Sequence, residues 1–289
     1  MKIVNILGGI GNQMFQYAFL VALRESTKAE VLYDASVFET YPLHNGFELS
    51  KRFNITARQA SKSEIRELTY YTSSYLWYRI FKRFPKRKTM LFEPPHGLYT
   101  PELLHDSGNY YYYGIWQNHL YFDAYRDTIK KELSWKEPLD KKNKKVFDEF
   151  KEGTTVSIHV RRGDYLKEWR YKNICEIDYY EKAINYIISR GYDKLKYAIF
   201  SNDIPWCEKF IIPLLGTVDI TMVDWNQGAD SYKDIELMSA CSINIIANSS
   251  FSWWGAYLNI HENPIVIAPQ KWTNADARFE RQLPEWIKL

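Results

Sequence analysis

The densest group of chemically useful side chains follows a short apolar run near the middle of the chain. The segment Ile158–Tyr165, IHVRRGDY, places His159, Arg161 and Arg162 where a buried strand would end. Arginine presents a planar fork of N–H donors, stays charged at every working pH and matches the oxygens of a diphosphate. Because side chains alternate in direction along a strand, we assign Arg161 to phosphate and expect one of the arginines to pair with Asp164. An ordinary surface ion pair at a strand end is the alternative interpretation.

A second candidate anion site follows a later apolar run. In segment 247–259, ANSSFSWWGAYLN, the residues Asn248, Ser249 and Ser250 stand between a strand and an apparent helix that begins near Phe251. Helix N-termini offer free N–H groups and the positive end of the helix dipole, which together bind phosphate. N-capping by Ser249 or Ser250 accounts for the same residues, so both interpretations stay open.

A third polar group, Ser201, Asn202 and Asp203, ends another predicted strand. In parallel sheets, ligands bind at the carboxyl ends of the strands. The three polar groups are therefore expected to face one cleft.

The N-terminal segment 8–14, GGIGNQM, is a glycine turn between a predicted strand and a predicted helix. Together with Asp34 at the end of the next strand it partly matches a dinucleotide-binding fingerprint, which makes an NAD-dependent dehydrogenase one alternative function. Met14 occupies the position of the third glycine, where close helix–strand packing requires the smallest residue. Asn12 and Gln13 are instead interpreted as polar groups that reach a ligand.

The elements that would position these residues alternate along the chain. A strand at 3–7, a helix over about 10–23 and a strand at 29–34 begin the N-terminal half, and the charged segment 136–153 forms a boundary. Beyond it, helix-like segments alternate with apolar runs at 156–160, 197–200, 220–223, 243–247 and 265–267. This alternation predicts an α/β protein with parallel sheets in two Rossmann-like domains, 1–150 and 151–289.

Composition excludes several classes of protein. The chain has 289 residues, a formal charge of +3 and three cysteines. This charge is too small to indicate nucleic acid as a partner, and the cysteine spacing indicates neither disulfides nor a zinc site. No signal peptide and no stretch of ~20 apolar residues is visible, so we expect a cytoplasmic protein.

Metal use can be tested on the sequence as well. No two aspartates are spaced i, i+2, and histidine and cysteine do not cluster. We therefore expect no cofactor and no divalent metal, with the charge on a leaving diphosphate balanced by arginine and helix N-termini.

Two further features concern surfaces. The basic run 78–88, YRIFKRFPKRK, would suit an anionic membrane face or an acidic acceptor, although a solvated charged surface explains it too. Aromatic residues make up 17% of the chain, which suits sugar binding and makes a non-catalytic sugar-binding module the second alternative. Arginines that grip phosphate would have no use in such a module.

Five stretches taken together resemble the bacterial-type α-1,2-fucosyltransferases of glycosyltransferase family 11. They are GGIGNQMFQYAF (8–19), GIWQNHLYF (114–122), HVRRGDY (159–165), FSNDIPWC (200–207) and NSSFSWWGAYLN (248–259). The resemblance implies a GT-B fold of two facing Rossmann-like domains, an acceptor-side one and a GDP-fucose-binding one. It also implies metal-independent, inverting transfer of L-fucose from GDP-β-L-fucose to the 2-hydroxyl of a galactose. The acceptor would be a glycan such as an O-antigen or another surface polysaccharide, lipid-linked if the protein contacts the inner membrane face.

The same resemblance assigns the donor residues of the second half. It places His159 near the nucleotide and Arg161 on the diphosphate, while Arg162 matches a motif position. Asp203 is the match for an acid that contacts guanine, with Asn202 as the other choice. The phosphate-side loop corresponds to Asn248, Ser249, Ser250, Phe251 and Ser252.

In the first half, Asn12 resembles a residue of the glycine loop that approaches the reaction centre. Gly11, Gln13 and Gln117 are assigned to acceptor binding. No carboxylate lies within the shared motifs of this half, so no general base is assigned.

Overall fold

The computed structural model describes residues 1–40, 44–70, 87–192, 194–216, 218–275 and 281–289. Within them the chain forms two compact units, Met1–Glu137 and Pro138–Leu289.

The division between the units lies ahead of the boundary that the sequence placed after residue 150. The charged helix Lys141–Glu152 belongs to the second unit. The side chains of Asn143 and Asn226 exchange two hydrogen bonds, of 3.0 and 2.8 Å, and hold the helix there. The division lies at the start of the charged segment 136–153, and the charge pattern alone did not show that the helix belongs to the second unit, because these partners are distant in sequence.

The first unit contains a parallel sheet. Its described strands are β1 (Lys2–Asn5), β2 (Val31–Asp34), β3 (Met90–Phe92) and β4 (Tyr110–Tyr113), in the spatial order β2-β1-β4-β3. The described α-helices are α1 (Ile10–Thr27), α2 (Leu49–Arg52), α3 (Lys62–Leu68) and α4 (Arg126–Glu132).

Helix α1 is apolar on nearly every side and therefore lies inside the unit. Every residue from Ile10 to Leu23 is buried except Asn12. The helix follows Gly8, whose φ of +87° lies in the region that glycine adopts without strain. It ends at Lys28, in the left-handed conformation, whose N–H donates to the carbonyl of Arg24 at 2.8 Å.

The second unit contains a longer parallel sheet. Its described strands are β5 (Thr155–Val160), β6 (Lys196–Ser201), β7 (Asp219–Val223), β8 (Ile243–Ile245), β9 (Ile265–Ala268) and β10 (Ile287–Lys288), in the order β10-β9-β8-β5-β6-β7. The described α-helices are α5 (Lys141–Glu152), α6 (Ile177–Ser189), α7 (Ile204–Trp206), α8 (Ile212–Leu215), α9 (Lys233–Ser239) and α10 (Ser250–Tyr257).

In each sheet the order of the strands reverses direction at one point. In the second unit the chain runs outward from β5 through β6 to β7, and then returns to the other side of β5 to form β8. In the first unit β2 and β4 lie on opposite sides of β1. Such reversals open a crevice at the carboxyl ends of the two strands involved. The predicted Rossmann-like architecture with parallel sheets is confirmed in each unit.

Among the described residues, no helix has the length and apolar character needed to cross a membrane. All three cysteines are buried thiols without a disulfide.

Candidate functional site

The three polar groups of the second half lie on neighbouring strands. Strands β8, β5 and β6 are adjacent and parallel, so the loops that follow them share one edge of the sheet. The rings of His159 and Phe251 are 5.8 Å apart, and the N–H of Arg162 donates to Oδ1 of Asn202 at 2.9 Å. The fold thus brings the loop after β5 (the arginine loop, residues 161–165) into contact with the loop after β6 (residues 201–203) and with the loop after β8 (the serine loop, residues 248–252).

Arg161 is the arginine that pairs with Asp164. Its guanidinium lies 2.8 Å from the carboxylate and over the ring of Tyr165, 5.4 Å from the ring centre. The side chains of Arg161 and Asp164 are 36% and 62% exposed. An ion pair this exposed is weak, so a more highly charged anion can displace the carboxylate.

Arg162 is less exposed than Arg161, with 14% of its side chain accessible, and lies in a different environment. Its guanidinium stacks over Trp206 at 4.3 Å and pairs with Glu176 at 3.1 Å and Asp203 at 3.3 Å. Two carboxylates and an aromatic ring already surround this charge. The structure therefore gives Arg162 a role in holding β5, α6 and α7 together.

His159 is a neutral imidazole at this edge. Burial, with a smaller contribution from the Arg161 charge, lowers the pKa of His159 to about 3. Its Nδ1 is buried and has no hydrogen-bond partner within the described part of the chain. A buried nitrogen without a hydrogen bond makes the folded protein less stable. A ligand that hydrogen-bonds to this nitrogen would remove that cost, which would favour binding of the ligand.

Asn202 and Asp203 both make contacts within the unit. Asn202 accepts the hydrogen bond from the backbone N–H of Arg162. Its amide nitrogen lies so close to Gly163 that a Cβ atom at residue 163 would be only 2.6 Å away. Asp203 caps α7 by accepting from the N–H of Trp206 at 3.2 Å. Asn202 is exposed and Asp203 is partly exposed, so the structure leaves the choice between them for a base open.

The serine loop forms the N-terminus of α10. Ser249 caps the helix by accepting from the N–H of Phe251 at 3.3 Å, and it also bonds to the hydroxyl of Tyr165. Ser250 is the first helical residue and is partly exposed. Capping by Ser249 therefore does not exclude an anion, because the first turn of a helix still leaves other N–H groups unbonded.

Two predicted members of this loop point into the unit. Asn248 is buried, and its amide donates to the carbonyl of Trp272 at 3.1 Å. Ser252 is fully buried, and its hydroxyl donates to the carbonyls of Ala247 and Ser249 at 3.4 Å. Both side chains hydrogen-bond within the unit. The structure therefore does not show them in position to bind the sugar donor directly.

In the first unit, the structure brings Asn12 and Gln117 together. The amide of Gln117 donates to Oδ1 of Asn12 at 2.9 Å, which joins the loops after β1 and β4. Gly11 is buried in the first turn of α1. Gln13 is fully buried as well, donating to the carbonyls of Gly8 and Gly46. The acceptor-binding roles assigned to Gly11 and Gln13 do not fit these positions, whereas Gln117 lies beside Asn12.

The residue that would serve a dinucleotide is engaged elsewhere. Asp34 is buried and accepts from the N–H of Ser36 and from the hydroxyl of Tyr111, both at 2.8 Å. Met14 is fully buried at the position of the missing third glycine. The dehydrogenase alternative therefore lacks the acid that it needs.

Sequence reasoning missed two supports of these loops. Gln16 accepts from the N–H of Leu7 at 2.9 Å and donates to the carbonyl of Gly114 at 3.0 Å. Glu93 accepts from the N–H groups of Ile115 and Trp116 at 2.7 and 3.0 Å. Gln16 lies inside a quoted motif and could have been noticed, but Glu93 lies outside every motif.

No three His, Cys, Asp or Glu side chains of the described residues group as a metal site would require. Most of the basic run 78–88 lies outside those residues. Arg87 is described, and its guanidinium stacks over Tyr70 at 4.0 Å and bonds to the carbonyl of Arg66 at 2.9 Å.

Three relatives place this geometry in context. An α-1,2-colitosyltransferase of Escherichia coli is 29% identical over 99% of this chain and 98% of its own. The O-antigen biosynthesis glycosyltransferase WbnK of Escherichia coli is 31% identical over 98% of each chain. The human galactoside α-(1,2)-fucosyltransferase 1 is 27% identical over 58% of this chain and 49% of its own. These comparisons favour neither the dehydrogenase nor the sugar-binding module.

A solved structure supports the fold in the same way. NodZ α-1,6-fucosyltransferase from Bradyrhizobium matches with a TM-score of 0.54 and 13% identity over 89% of this chain and 91% of that chain. With its two Rossmann-like units, the chain has an α/β, GT-B-like fold. A family model described as Glycosyl transferase family 11 matches residues 99–289, which include the arginine loop and the serine loop. The chain belongs to glycosyltransferase family 11.

Proposed function

We propose that the protein transfers L-fucose from GDP-β-L-fucose to the 2-hydroxyl of a terminal galactose in a glycan, with inversion at the anomeric carbon. Membership of the family supports glycosyl transfer, and the named α-1,2 relatives support the linkage. The observation that carries the donor side is the edge where Arg161 and the first turn of α10 lie together.

Arg161 and α10 have the chemistry that a departing diphosphate requires. As the glycosidic bond breaks, negative charge builds on the β-phosphate oxygen. The diphosphate would replace Asp164 at the guanidinium of Arg161, while N–H groups near Ser250 bind a second oxygen. Donors fixed in advance stabilise the transition state because they need no reorganisation when charge develops.

The nucleotide would occupy the crevice beside β5. His159 stays neutral there and offers its buried Nδ1 to a polar group of the donor. Asp203 or Asn202 would bond to the guanine base, with Asp203 giving up part of its ion pair with Arg162.

The galactose that receives fucose would be bound by groups of the first unit. Gln117 fixes the Oδ1 of Asn12, so the Asn12 amide N–H groups are directed toward a hydroxyl. Asn12 would then orient the attacking 2-hydroxyl. We propose that a water molecule or a leaving-group oxygen receives the hydroxyl proton, because the motifs of this half contain no carboxylate.

We further propose that no divalent metal takes part. Nucleotide-sugar enzymes that bind a divalent ion use closely spaced aspartates, which this sequence lacks. Excess EDTA should leave the turnover of GDP-fucose unchanged. Strong inhibition that Mn²⁺ reverses would contradict this part of the proposal.

Colitose is the second candidate for the transferred sugar, because a relative that matches the whole chain is a colitosyltransferase. Colitose is L-fucose without its 3-hydroxyl. A site that hydrogen-bonds to that hydroxyl rejects the deoxy sugar strongly, whereas an apolar pocket discriminates weakly. The ratio of kcat/KM for the two GDP-sugars therefore decides between them.

For the acceptor, we propose a lipid-linked glycan of the O-antigen type, met at the cytoplasmic face of the membrane. WbnK, which matches the whole chain, is named for O-antigen biosynthesis. The basic run 78–88 would supply attraction to anionic lipid. Charge-neutral variants of this run should lose sedimentation with anionic vesicles and keep activity on soluble sugars.

The deciding experiment incubates the purified protein with a panel of nucleotide sugars and galactosides. The expected product carries one added deoxyhexose in α-1,2 linkage, as identified by mass and linkage analysis, with release of GDP. Glycan binding without GDP release would contradict the proposal.

A further inference from the structure

One large apolar side chain near the carboxyl edge of the second sheet is exposed to solvent. Trp169 is 57% exposed, the largest exposure among the described Trp and Phe residues, and nearby Leu166 is 44% exposed. Five other tryptophans are buried: Trp116, Trp253 and Trp254 fully, and Trp272 and Trp286 with 7% and 6% exposed. Trp169 belongs to the loop that leads on from the arginine motif.

This loop is held in place at both ends. The rings of Tyr165 and Tyr171 stack with their centres 4.8 Å apart, which closes residues 166–170 into a compact projection. Tyr165 also lies beneath Arg161. The projection therefore stands next to the arginine that is proposed to bind the diphosphate.

Hydrogen bonds fix the backbone of the projection. The amide of Asn274 donates to the carbonyl of Trp169 at 2.9 Å and to that of Lys172 at 3.0 Å. The backbone N–H of Asn274 and the hydroxyl of Thr273 donate to the carbonyl of Arg170 at 2.7 and 3.0 Å. The backbone that carries the indole ring is therefore ordered while the ring itself is open to solvent.

We propose that Trp169 is a stacking platform for a pyranose ring of the acceptor glycan, namely the sugar next to the galactose that receives fucose. The inference rests on the proposed function, since it requires a glycan at this edge. The face of an indole ring carries negative charge density, and one side of a pyranose presents a patch of C–H hydrogens that complements it. Glu168 and Arg170, paired at 3.0 Å on the same projection, supply polar groups for the hydroxyls at the ring edge.

The test separates acceptor size from chemistry. With a galactose monosaccharide as acceptor, Trp169→Ala should match the wild type in kcat and in KM for GDP-fucose. With a disaccharide or larger acceptor ending in galactose, its KM should rise about tenfold, since aromatic stacking is worth roughly one order of magnitude in binding. Trp169→Phe should recover most of this loss. Equal KM values for wild type and Trp169→Ala on every acceptor would overturn the inference.

A matched control uses an exposed aromatic residue elsewhere. Tyr192 is 38% exposed and lies beside the amino ends of β6 and β7. Tyr192→Ala should therefore leave the KM for every acceptor unchanged. A comparable KM increase in this variant would also overturn the inference.

Binding measurements distinguish failure of the platform from failure of the proposed function. Saturation-transfer NMR with the disaccharide and GDP, but without donor, should detect the second sugar in the wild type and lose it in Trp169→Ala. If the wild type transfers no fucose, the proposed function fails, and this NMR comparison still decides the platform. If Trp169→Ala instead loses only binding to anionic vesicles, the ring contacts lipid and the inference is wrong.

Discussion

The carboxyl edges of the two sheets differ in the kind of polar group that they present. In the first unit the groups after β1 and β4 are neutral amides, with Asn12 bonded to Gln117 and Gln16 bonded to two backbone segments, while the carboxylates of Asp34 and Glu93 accept hydrogen bonds from the unit itself. In the second unit the edge carries charge, with Arg161 paired to an exposed carboxylate and lying over the ring of Tyr165. A neutral amide edge suits hydroxyl groups, and an exchangeable cation suits a diphosphate. The same architecture has thus acquired two chemistries through the residues of its loops.

A second contrast lies within the charged edge. Arg161 is 36% exposed, with one carboxylate partner and the ring of Tyr165, whereas Arg162 is 14% exposed, with two carboxylate partners and the ring of Trp206. We therefore propose that these adjacent arginines serve binding and folding respectively. The two arginines give the sharpest way to test the comparison.

The largest effect is expected from Arg161→Ala. Loss of the guanidinium removes a donor to the charge that develops on the diphosphate, and kcat should fall about 10²–10³-fold. The circular dichroism spectrum and the midpoint of urea unfolding should stay close to those of the wild type, because the ion pair that is lost is exposed.

Arg170→Ala is the matched control for this variant. Arg170 lies in the same loop and pairs with Glu168, with 51% of its side chain exposed. Its removal should change kcat less than threefold on a monosaccharide acceptor. Near-normal turnover by Arg161→Ala would remove the donor-site assignment altogether.

Arg162→Ala should act on stability instead. The change leaves Glu176 and Asp203 without their partner and uncovers Trp206. We expect the free energy of unfolding to fall by about 1–2 kcal/mol, since a guanidinium that is 14% exposed is removed from two carboxylates, themselves 42% and 32% exposed, and from an aromatic ring. Urea denaturation followed by tryptophan fluorescence measures it. A fully stable variant without activity would instead place Arg162 on the donor.

The neutral edge can be tested through its amide pair. Gln117→Ala should lower kcat about tenfold, because Asn12 loses the bond that fixes its orientation, and Asn12→Ala should lower it further. In the double variant the Gln117 change should add nothing, which a double-mutant cycle detects. Gln227→Ala, which removes an exposed amide bonded only to a carbonyl of the second unit, is the control. Independent, additive losses would show that the observed bond has no part in the reaction.

Much of this edge chemistry could be predicted from the sequence. The apolar run before Arg161 becomes β5, and the predicted strand at 197–200 becomes β6. These strands can be predicted because a buried parallel strand is a continuous apolar run bounded by polar residues. Alternation with helices makes the strands parallel, and parallel strands bring the three polar groups to one edge.

The direction of individual side chains could not be predicted. The burial of Arg162 depends on Trp206, and that of Gln13 depends on Gly46, both far away in sequence. The helix-like segment between the apolar runs at 197–200 and 220–223 is interrupted by a π-helical turn, Cys207–Ile211, that no local pattern indicates. Tertiary contacts decide which member of a polar cluster faces outward, and a single sequence does not record them.

The smallest expected effect concerns the pH dependence of stability and compares His159 with Asp234, a carboxylic acid on α9 bonded to Asn226. The pKa of His159 is about 3 when folded and ordinarily about 6.5, so between these values only the unfolded chain binds the proton. His159 therefore makes the folded state less stable as pH falls from 6.5 toward 3. Burial raises the pKa of Asp234 to about 7, so Asp234 makes the folded state less stable as pH rises from about 4 to 7.

Two variants should therefore change the pH dependence in opposite directions. The free energy of unfolding, measured by urea denaturation between pH 5 and 7, should rise less steeply or fall more steeply with pH in His159→Gln than in the wild type. Asp234→Asn should shift this slope the other way, and above pH 8 each variant should run parallel to the wild type. Asp230→Asn is a control, because this exposed carboxylate has an ion-pair partner and no burial to relieve. Identical slopes for His159→Gln and wild type would mean that burial does not hold the imidazole at the charged edge neutral.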